Sequence, residues 1–480
     1  MEFKICNEEG GNLFMSNPTK KPFGMADKVG YMFGDFGNDF TFILSSMFLM
    51  KFYTDVMGVS AALVGVMMMV ARIVDAFTDV AMGQIVDRSK TTGKGKFLPW
   101  IRRMCGPVAL ASFLMYATWF KDMPMAFKIF WMFFTYLLWG SIFYTSINIP
   151  YGSMASGVSA EAKDRAELSS WRTIGATLAS TVIGVVLPLV VYYENEAGAQ
   201  ILSGKNMTIA ALACSVCAII CYLFCYNMTT ERVKIEQTTG KFSLVALVKY
   251  MFTSRALIGI VIAALLLLLA QLTLSGMGNY IYPTYFGNIK AMSTATLCGS
   301  ILTLVLAGIT PQIAAKIGKK EISCIGALIG AAALIVAYVM HTDNVVVWIV
   351  LYIISYLGIA FFNITCWAMI TDVIDDAEVR TGKRQDGTVY AVYSFARKLG
   401  QAASSGLTGG LLTMIGYTNA VAEHPADYPE VVDNIYNIAC IVPAAGFILL
   451  ALALAFIYPL SKKKVDSNIA YLKAKREGKN

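Results

Sequence analysis

A chain of 480 residues with 57% hydrophobic and only 15% charged residues is too apolar for an ordinary soluble domain, where about 25% are charged. The mean hydropathy is +0.60, and apolar stretches of about 20 residues recur throughout, which predicts an all-α, polytopic membrane protein. The net charge of +8 calls for no nucleic acid, because the basic residues gather in a few loops.

In chain order, residues 1–27 are polar, hold no apolar core of a cleavable signal, and read as a cytoplasmic N-terminal segment. Spanning segments follow near 29–54, 59–84, 99–120, 127–151, 168–192 and 207–227, a first six-helix half over 28–230. The longest polar connector, TTERVKIEQTTGKFSLVALVKYMFTSR, supplies a cytoplasmic linker over 231–255. Spans near 256–285, 292–316, 322–341, 344–373, 387–416 and 435–459 form a second half over 256–460, and 461–480 is a basic cytoplasmic tail. In the sixth span, Cys214, Cys217, Cys221 and Cys225 have a spacing that suggests a metal site. Their context, ALACSVCAIICYLFC, is apolar throughout, so they read as small residues filling a membrane helix.

Lysine and arginine placement orients the chain. The turn after the second span carries Arg88, Lys90, Lys94, Lys96, Arg102 and Arg103. The connectors after spans four, six, eight and ten are basic too (Lys163 and Arg165; Arg232, Lys234 and Lys241; Lys316, Lys319 and Lys320; Arg380, Lys383 and Arg384). The loop before the last span, AEHPADYPEVVDN, is acidic, which predicts a plasma-membrane protein with both termini cytoplasmic. GQIVDRSKTTGKGK and TPQIAAKIGKKEI form a weak repeat, each a short basic turn after the second helix of its half. The first contains Gly83, Asp87 and Arg88, the core of the signature loop of the major facilitator superfamily. Twelve spans, two halves and this loop resemble that superfamily. The resemblance implies a substrate site near the midplane between the halves, with Gly83, Asp87 and Arg88 in a gating loop.

Charges inside apolar segments are costly and therefore informative. GYMFGDFGNDF places Asp35, Asn38 and Asp39 on one face of span one. ARIVDAFTDVAMG places Asp75 and Asp79 one turn apart on span two, with Arg72 three residues earlier. Span four ends in GSIFYTSINIPYGSM, where Thr145 and Asn148 share a face, and span five opens with Trp171 and Arg172. Span eleven carries Arg397 and Lys398, which point about 100° apart and so cannot both face one cavity centre. Arg72 and Asp35 read as members of buried structural pairs. Asp75 and Asp79 read otherwise: two like charges on one face repel unless a cation or a proton joins them, which makes them a natural site for Na⁺ or H⁺.

The stretches GYMFGDFGNDF, FYTDVMGVSAALVGVMMMVARIVDAFTDVAMGQIVDRSKTTGKGKFLPW, NIPYGSMA and DVIDDAEVRTGKRQDGTVYAVYSFARKLGQA resemble the glycoside–pentoside–hexuronide:cation symporter family. The resemblance runs from about residue 23 to 460. It implies that Asp75 and Asp79 bind the coupling cation, with Thr145 contributing a hydroxyl. It further implies that Asp39 and Arg172 contact the sugar, and that Lys398 links the cation and sugar sites. The chain departs from the melibiose-transporting branch at Asn148, where a carboxylate is shared between the sites, and at Gly152, where a tryptophan contacts sugar. Asn148 is kept as a neutral cation ligand, and its lost charge leaves H⁺ and Na⁺ equally open.

The expected protein is therefore a monomeric symporter that imports a glycoside, such as a glucuronide, by alternating access. It uses no cofactor beyond a monovalent coupling ion, with Na⁺ possible at Asp75 and Asp79. Asn38, Tyr151 and Tyr393 join Asp39, Arg172 and Lys398 as substrate candidates, and Tyr144 and Tyr390 are further rings for stacking. An alternative is Na⁺-dependent lysolipid transport. A membrane enzyme or sugar sensor finds little support: His341 and His424 fall near predicted outer loops without a nucleophile or metal constellation, and a tail of about 20 residues is no signalling domain.

Overall fold

The computed structural model describes residues 21–233, 252, 254–382 and 386–476. Most of the N-terminal segment and of the 231–255 linker, together with Lys383 and Arg384, lies outside the described residues. Twelve long helices form the bundle. The first six are α1 (Met25–Lys51, continued by a π-helical turn, Phe52–Val56), α2 (Ala61–Arg88), α3 (Leu98–Leu114), α4 (Met125–Val158), α5 (Ala162–Val191) and α6 (Gly204–Met228). The second six are α7 (Arg255–Tyr285), α8 (Ile289–Ile317), α9 (Lys319–Met340), α10 (Val345–Thr381), α11 (Asp386–Met414) and α12 (Pro429–Ile457). A shorter α13 (Lys462–Arg476) ends the described chain.

Among the described residues, nine helices are long and apolar enough to cross a membrane; α1, α3 and α11 are the three that fall short. α3 has only 17 residues. α1 carries Asp27, Lys28, Asp35, Asp39 and Lys51, and α11 carries Arg397 and Lys398 among glycines and serines. α1 and α11 are thus the helices whose polar faces turn inward, onto other helices.

α1 packs on α5 and α6, and α7 packs on α11 and α12; the two sets of six meet along α2–α11 and α5–α8. Small residues permit the α2–α11 contact. A Cβ on Gly409 would lie 2.3 Å from the Ala61 carbonyl oxygen and 3.0 Å from Gly65 Cα. With an even number of crossings, the described chain begins and finishes at one end of the bundle, the terminus end. At the far end, a hairpin of β1 (Tyr192–Glu194) and β2 (Gln200–Leu202) joins α5 to α6, with Tyr192 opposite Leu202.

Of the boundaries that differ from expectation, three have a clear physical cause. α2 runs on through Gly83, Asp87 and Arg88, so these residues form its last turns and the loop proper is 89–97. Met82 and Val86 are buried on the core side and hold those turns down. The loop is pinned by Glu231, whose buried carboxylate accepts the N–H groups of Lys96, Phe97 and Leu98 at 2.7, 2.8 and 2.7 Å. It thereby satisfies the free donors at the start of α3. Between α8 and α9 the expected basic turn shrinks to Gly318, whose φ of +121° suits glycine. α10 continues to Thr381, past its expected end near 373, because Arg380 pairs with Asp376 one turn back at 2.8 Å. Lys319 of α9 also holds Asp372 at 2.6 Å. In α6, Cys214, Cys221 and Cys225 are buried and Cys217 is exposed, all as free thiols.

Candidate functional site

Asp75 and Asp79 face α4. Ser141 Oγ donates to Asp75 Oδ1 at 2.6 Å, and Thr145 Oγ1 donates to Asp79 Oδ1 at 2.8 Å. Both contacts keep the same sequence offset because α2 and α4 run parallel. A π-helical stretch, Leu138–Tyr144, shifts the α4 register where Ser141 meets α2. Each carboxylate also has its own base. Arg72, its guanidinium 4.8 Å from the Phe42 ring centroid, reaches Asp75 Oδ2 at 3.3 Å. Lys398 of α11 donates to Asp79 Oδ2 and, at 3.4 Å, to the Asp75 carbonyl. The Arg72 and Asp75 side chains are 8% and 5% exposed, whereas Lys398 and Asp79 are 27% and 19% exposed. One pair is sealed, and the other faces open space and spans both sets of helices.

The sugar candidates divide. Arg172 Nε donates to Asp35 Oδ1 at 2.9 Å, and the guanidinium lies 5.5 Å from the Tyr151 ring centroid. Tyr151 itself is fully buried, stacks on Tyr31 at 4.7 Å and donates its hydroxyl to the Tyr31 carbonyl at 2.7 Å. Asn38 donates to Asn148 at 3.4 Å and accepts from Tyr222 at 2.8 Å. Asn148, grouped from sequence with the cation ligands, is thus brought to Asn38 rather than to Asp75 and Asp79. Asp39 is half-buried and, among the described residues, makes no hydrogen bond or ion pair. Lys398 and Arg397 diverge as adjacent helical residues must: the first reaches α2, and the second stays 5.9 Å from the Tyr393 ring centroid. Tyr393 is fully buried against Trp367, 5.3 Å between centroids, and Trp367 stacks on Tyr390 at 5.9 Å.

Sequence reasoning passed over several members. Ser141 precedes Thr145 by four residues, the same spacing as Asp75 and Asp79, and that match was a usable signal. Gln271 of α7 accepts from Asn363 of α10 at 3.0 Å, and no spacing within either helix announces the pair. The far end holds a further cluster. Lys51 and Asp55 form a buried ion pair at 2.8 Å. Tyr417, beyond α11, accepts from Lys51 at 2.5 Å and donates to Asp55 at 3.1 Å, with Tyr280 of α7 stacked 4.5 Å below the ammonium. His341 is there too, at the surface, 2.6 Å from Asp433.

The contacts joining the two sets of helices lie at the centre or toward this far end. Asn279 donates to the Met47 carbonyl at 2.7 Å, the Ala62 N–H to Thr413 at 2.7 Å, and Ser293 to the Val185 carbonyl at 2.8 Å. Among the described residues, no hydrogen bond or ion pair joins the sets nearer the terminus end than Lys398 and Asp79.

Residues 30–462 match a family described as MFS/sugar transport protein. The chain belongs to this family. It is 31% identical over 464 residues to the uncharacterized symporter YjmB of Bacillus subtilis, covering 95% of this chain and 97% of that protein. It is 31% identical over 440 residues to the glucuronide carrier protein homolog of Escherichia coli, covering 91% and 93%. Its fold matches a mutant of the nucleoside transporter NupG with a TM-score of 0.63 at 15% identity, over 90% of this chain and all of that one. The protein is accordingly an all-α, multi-pass membrane transporter of the major facilitator type, not an enzyme, and its resemblance to the glycoside–pentoside–hexuronide symporters holds.

Proposed function

We propose that the protein is a cation-coupled symporter that imports a glycoside across the plasma membrane, working as a monomer with both termini cytoplasmic. The observation that carries this reading is the pairing on α2. Asp79 is held by Thr145 and by an ammonium from α11 that a cation can replace. Asp75 and Ser141 stand one turn away with further oxygens. Hard oxygen donors of this kind suit Na⁺, and the same carboxylates suit a proton.

The basic loops support a cytoplasmic terminus end, and on that reading the far-end contacts seal the molecule from outside and the site communicates with the inside. In this state Lys398 acts as an internal competitor. A cation arriving at Asp79 releases the ammonium and with it the α2–α11 tie, while loss of the cation restores both. Cargo hydroxyls would meet Asp39, whose oxygens have no other partner among the described residues. Coupling follows if occupation of Asp39 and of Asp79 each favours the same rearrangement of the two sets of helices. The polar lining of Asp39, Arg172, Gln271, Asn363 and Arg397 supports a hydrophilic solute over a lysolipid. The relationship to a glucuronide carrier homolog supports a sugar.

The test is uptake into proteoliposomes with Na⁺ and pH gradients imposed separately. Asp75→Asn is expected to abolish gradient-driven accumulation, by about tenfold or more, in protein that remains folded. Accumulation at the wild-type rate in that variant would overturn the cation-site assignment.

A further inference from the structure

The bases near the centre of the bundle are matched one by one. Arg72 is on Asp75, Arg172 on Asp35 and Lys398 on Asp79. Arg397 is the exception: among the described residues it faces no carboxylate and rests 5.9 Å from the Tyr393 ring centroid. Arg397 is half-buried, and a guanidinium there with no matching carboxylate is a ready fork of donors for an anion.

Its neighbours form a wall suited to a ring. Trp367 is 46% exposed and Tyr390 is 38% exposed, stacked together beside the buried Tyr393. This wall faces inward rather than toward lipid. Asn363 shares the Trp367 face of α10, one turn away, and bonds to Gln271 on α7, the most buried of the nine apolar helices. Arg172 would be the obvious anion receptor from sequence, but its Nε is committed to Asp35. Asp39 lies on α1, in the other set of helices and beside Asp35 and Arg172, a hydroxyl acceptor that would repel an anion and so favours one orientation of the cargo.

We propose that Arg397 is the receptor for an anionic substituent on the cargo, so that the transported glycoside carries a carboxylate or sulfonate, with its ring against Trp367 and Tyr390. This rests on the symport reading above and adds the chemical class of the cargo and the residue that selects it. A neutral glycoside satisfies Asp39 but leaves Arg397 unmatched, whereas an anionic one satisfies both.

The test is transport by the full-length protein in proteoliposomes, with three probes: methyl β-D-glucuronide, methyl β-D-glucoside and the 6-sulfonate analogue of glucose. The wild type should take at least one anion with a lower KM than the glucoside, and the better anion distinguishes carboxylate from sulfonate. Arg397→Gln should raise the KM for that anion at least about tenfold more than the KM for the glucoside. Arg397→Lys should recover part of the preference, which separates lost charge from lost folding. Asp39→Asn should weaken the glucoside at least as much as either anion, since it removes a hydroxyl acceptor and a charge that repels anions, and a loss confined to the anions would overturn the proposal. The proposal is overturned if the wild type prefers the glucoside, or if Arg397→Gln depresses every probe equally, and in both cases the symport reading stands. If no sugar moves under either gradient, the symport reading falls and takes this one with it.

Discussion

Lysines hold the two sets of helices together at two places, and the two are built for opposite purposes. At the far end, Lys51 and Asp55 are 1% and 6% exposed, and Tyr417 bridges both partners across the interface. At the centre, Lys398 and Asp79 are 27% and 19% exposed, and the lysine reaches across the interface with no third group bridging the pair among the described residues. A buried, fully bonded pair is expensive to break and has nothing in water to replace it. A wetter pair can exchange its ammonium for a cation from solution. We propose that the first acts as a lock and the second as a switch, and removing charge from each should then give different signatures.

The largest effect belongs to the lock. Asp55→Asn leaves Lys51 buried and unmatched, at a cost of about 3–5 kcal/mol to the sealed arrangement. The expected outcome is a clear fall in thermal stability, together with faster maleimide labelling of cysteines introduced along the far-end seam, such as Ala62→Cys. Unchanged stability and labelling would show that the seam is held by packing alone. Tyr417→Phe is the finer probe. It keeps the ring against Tyr280, 4.8 Å between centroids, and removes only the hydroxyl that ties the ion pair to the second set of helices. The expected cost is about 1.5–3 kcal/mol, with labelling between wild type and Asp55→Asn. If Tyr417→Phe matched Asp55→Asn in full, the bridge rather than the ion pair would be the lock.

The contrast also explains what was legible in the sequence. The twelve long helices were legible from recurring apolar segments, although α1, α3 and α11 are too short or too polar to count as spans by length and composition alone, and Asp75 and Asp79 were legible from a period of four in an otherwise apolar run. The lock was harder to see because Lys51 closes an apolar segment, where lysines ordinarily snorkel to water. Only the fold brings Tyr417, 366 residues away, to cover it. The assignment of base to acid was likewise a tertiary matter. Arg72 finds Asp75 within its own helix, three residues on, while Lys398 finds Asp79 from 319 residues away. Asn148 shares a helical face with Thr145, yet the turn of α4 after the π-helical stretch delivers it to Asn38. Local periodicity assigns a face of a helix but not the helix opposite.

The smallest expected effect on stability is at the switch, and it is the one that separates structure from coupling. Lys398→Gln removes a pair that is more exposed than Lys51 and Asp55, so its loss should cost less stability than Asp55→Asn does. If the ammonium competes with the coupling cation for Asp79, the variant should bind that cation more tightly, because nothing has to be displaced. Titration of purified protein with Na⁺, and in parallel with acid, reads this as a larger cation-dependent rise in thermal stability than the wild type shows. Uphill uptake should fall at the same time, since the α2–α11 tie no longer reforms when the cation leaves. Weaker cation binding in Lys398→Gln would reverse the interpretation and make Lys398 a residue that builds the cation site rather than one that vacates it.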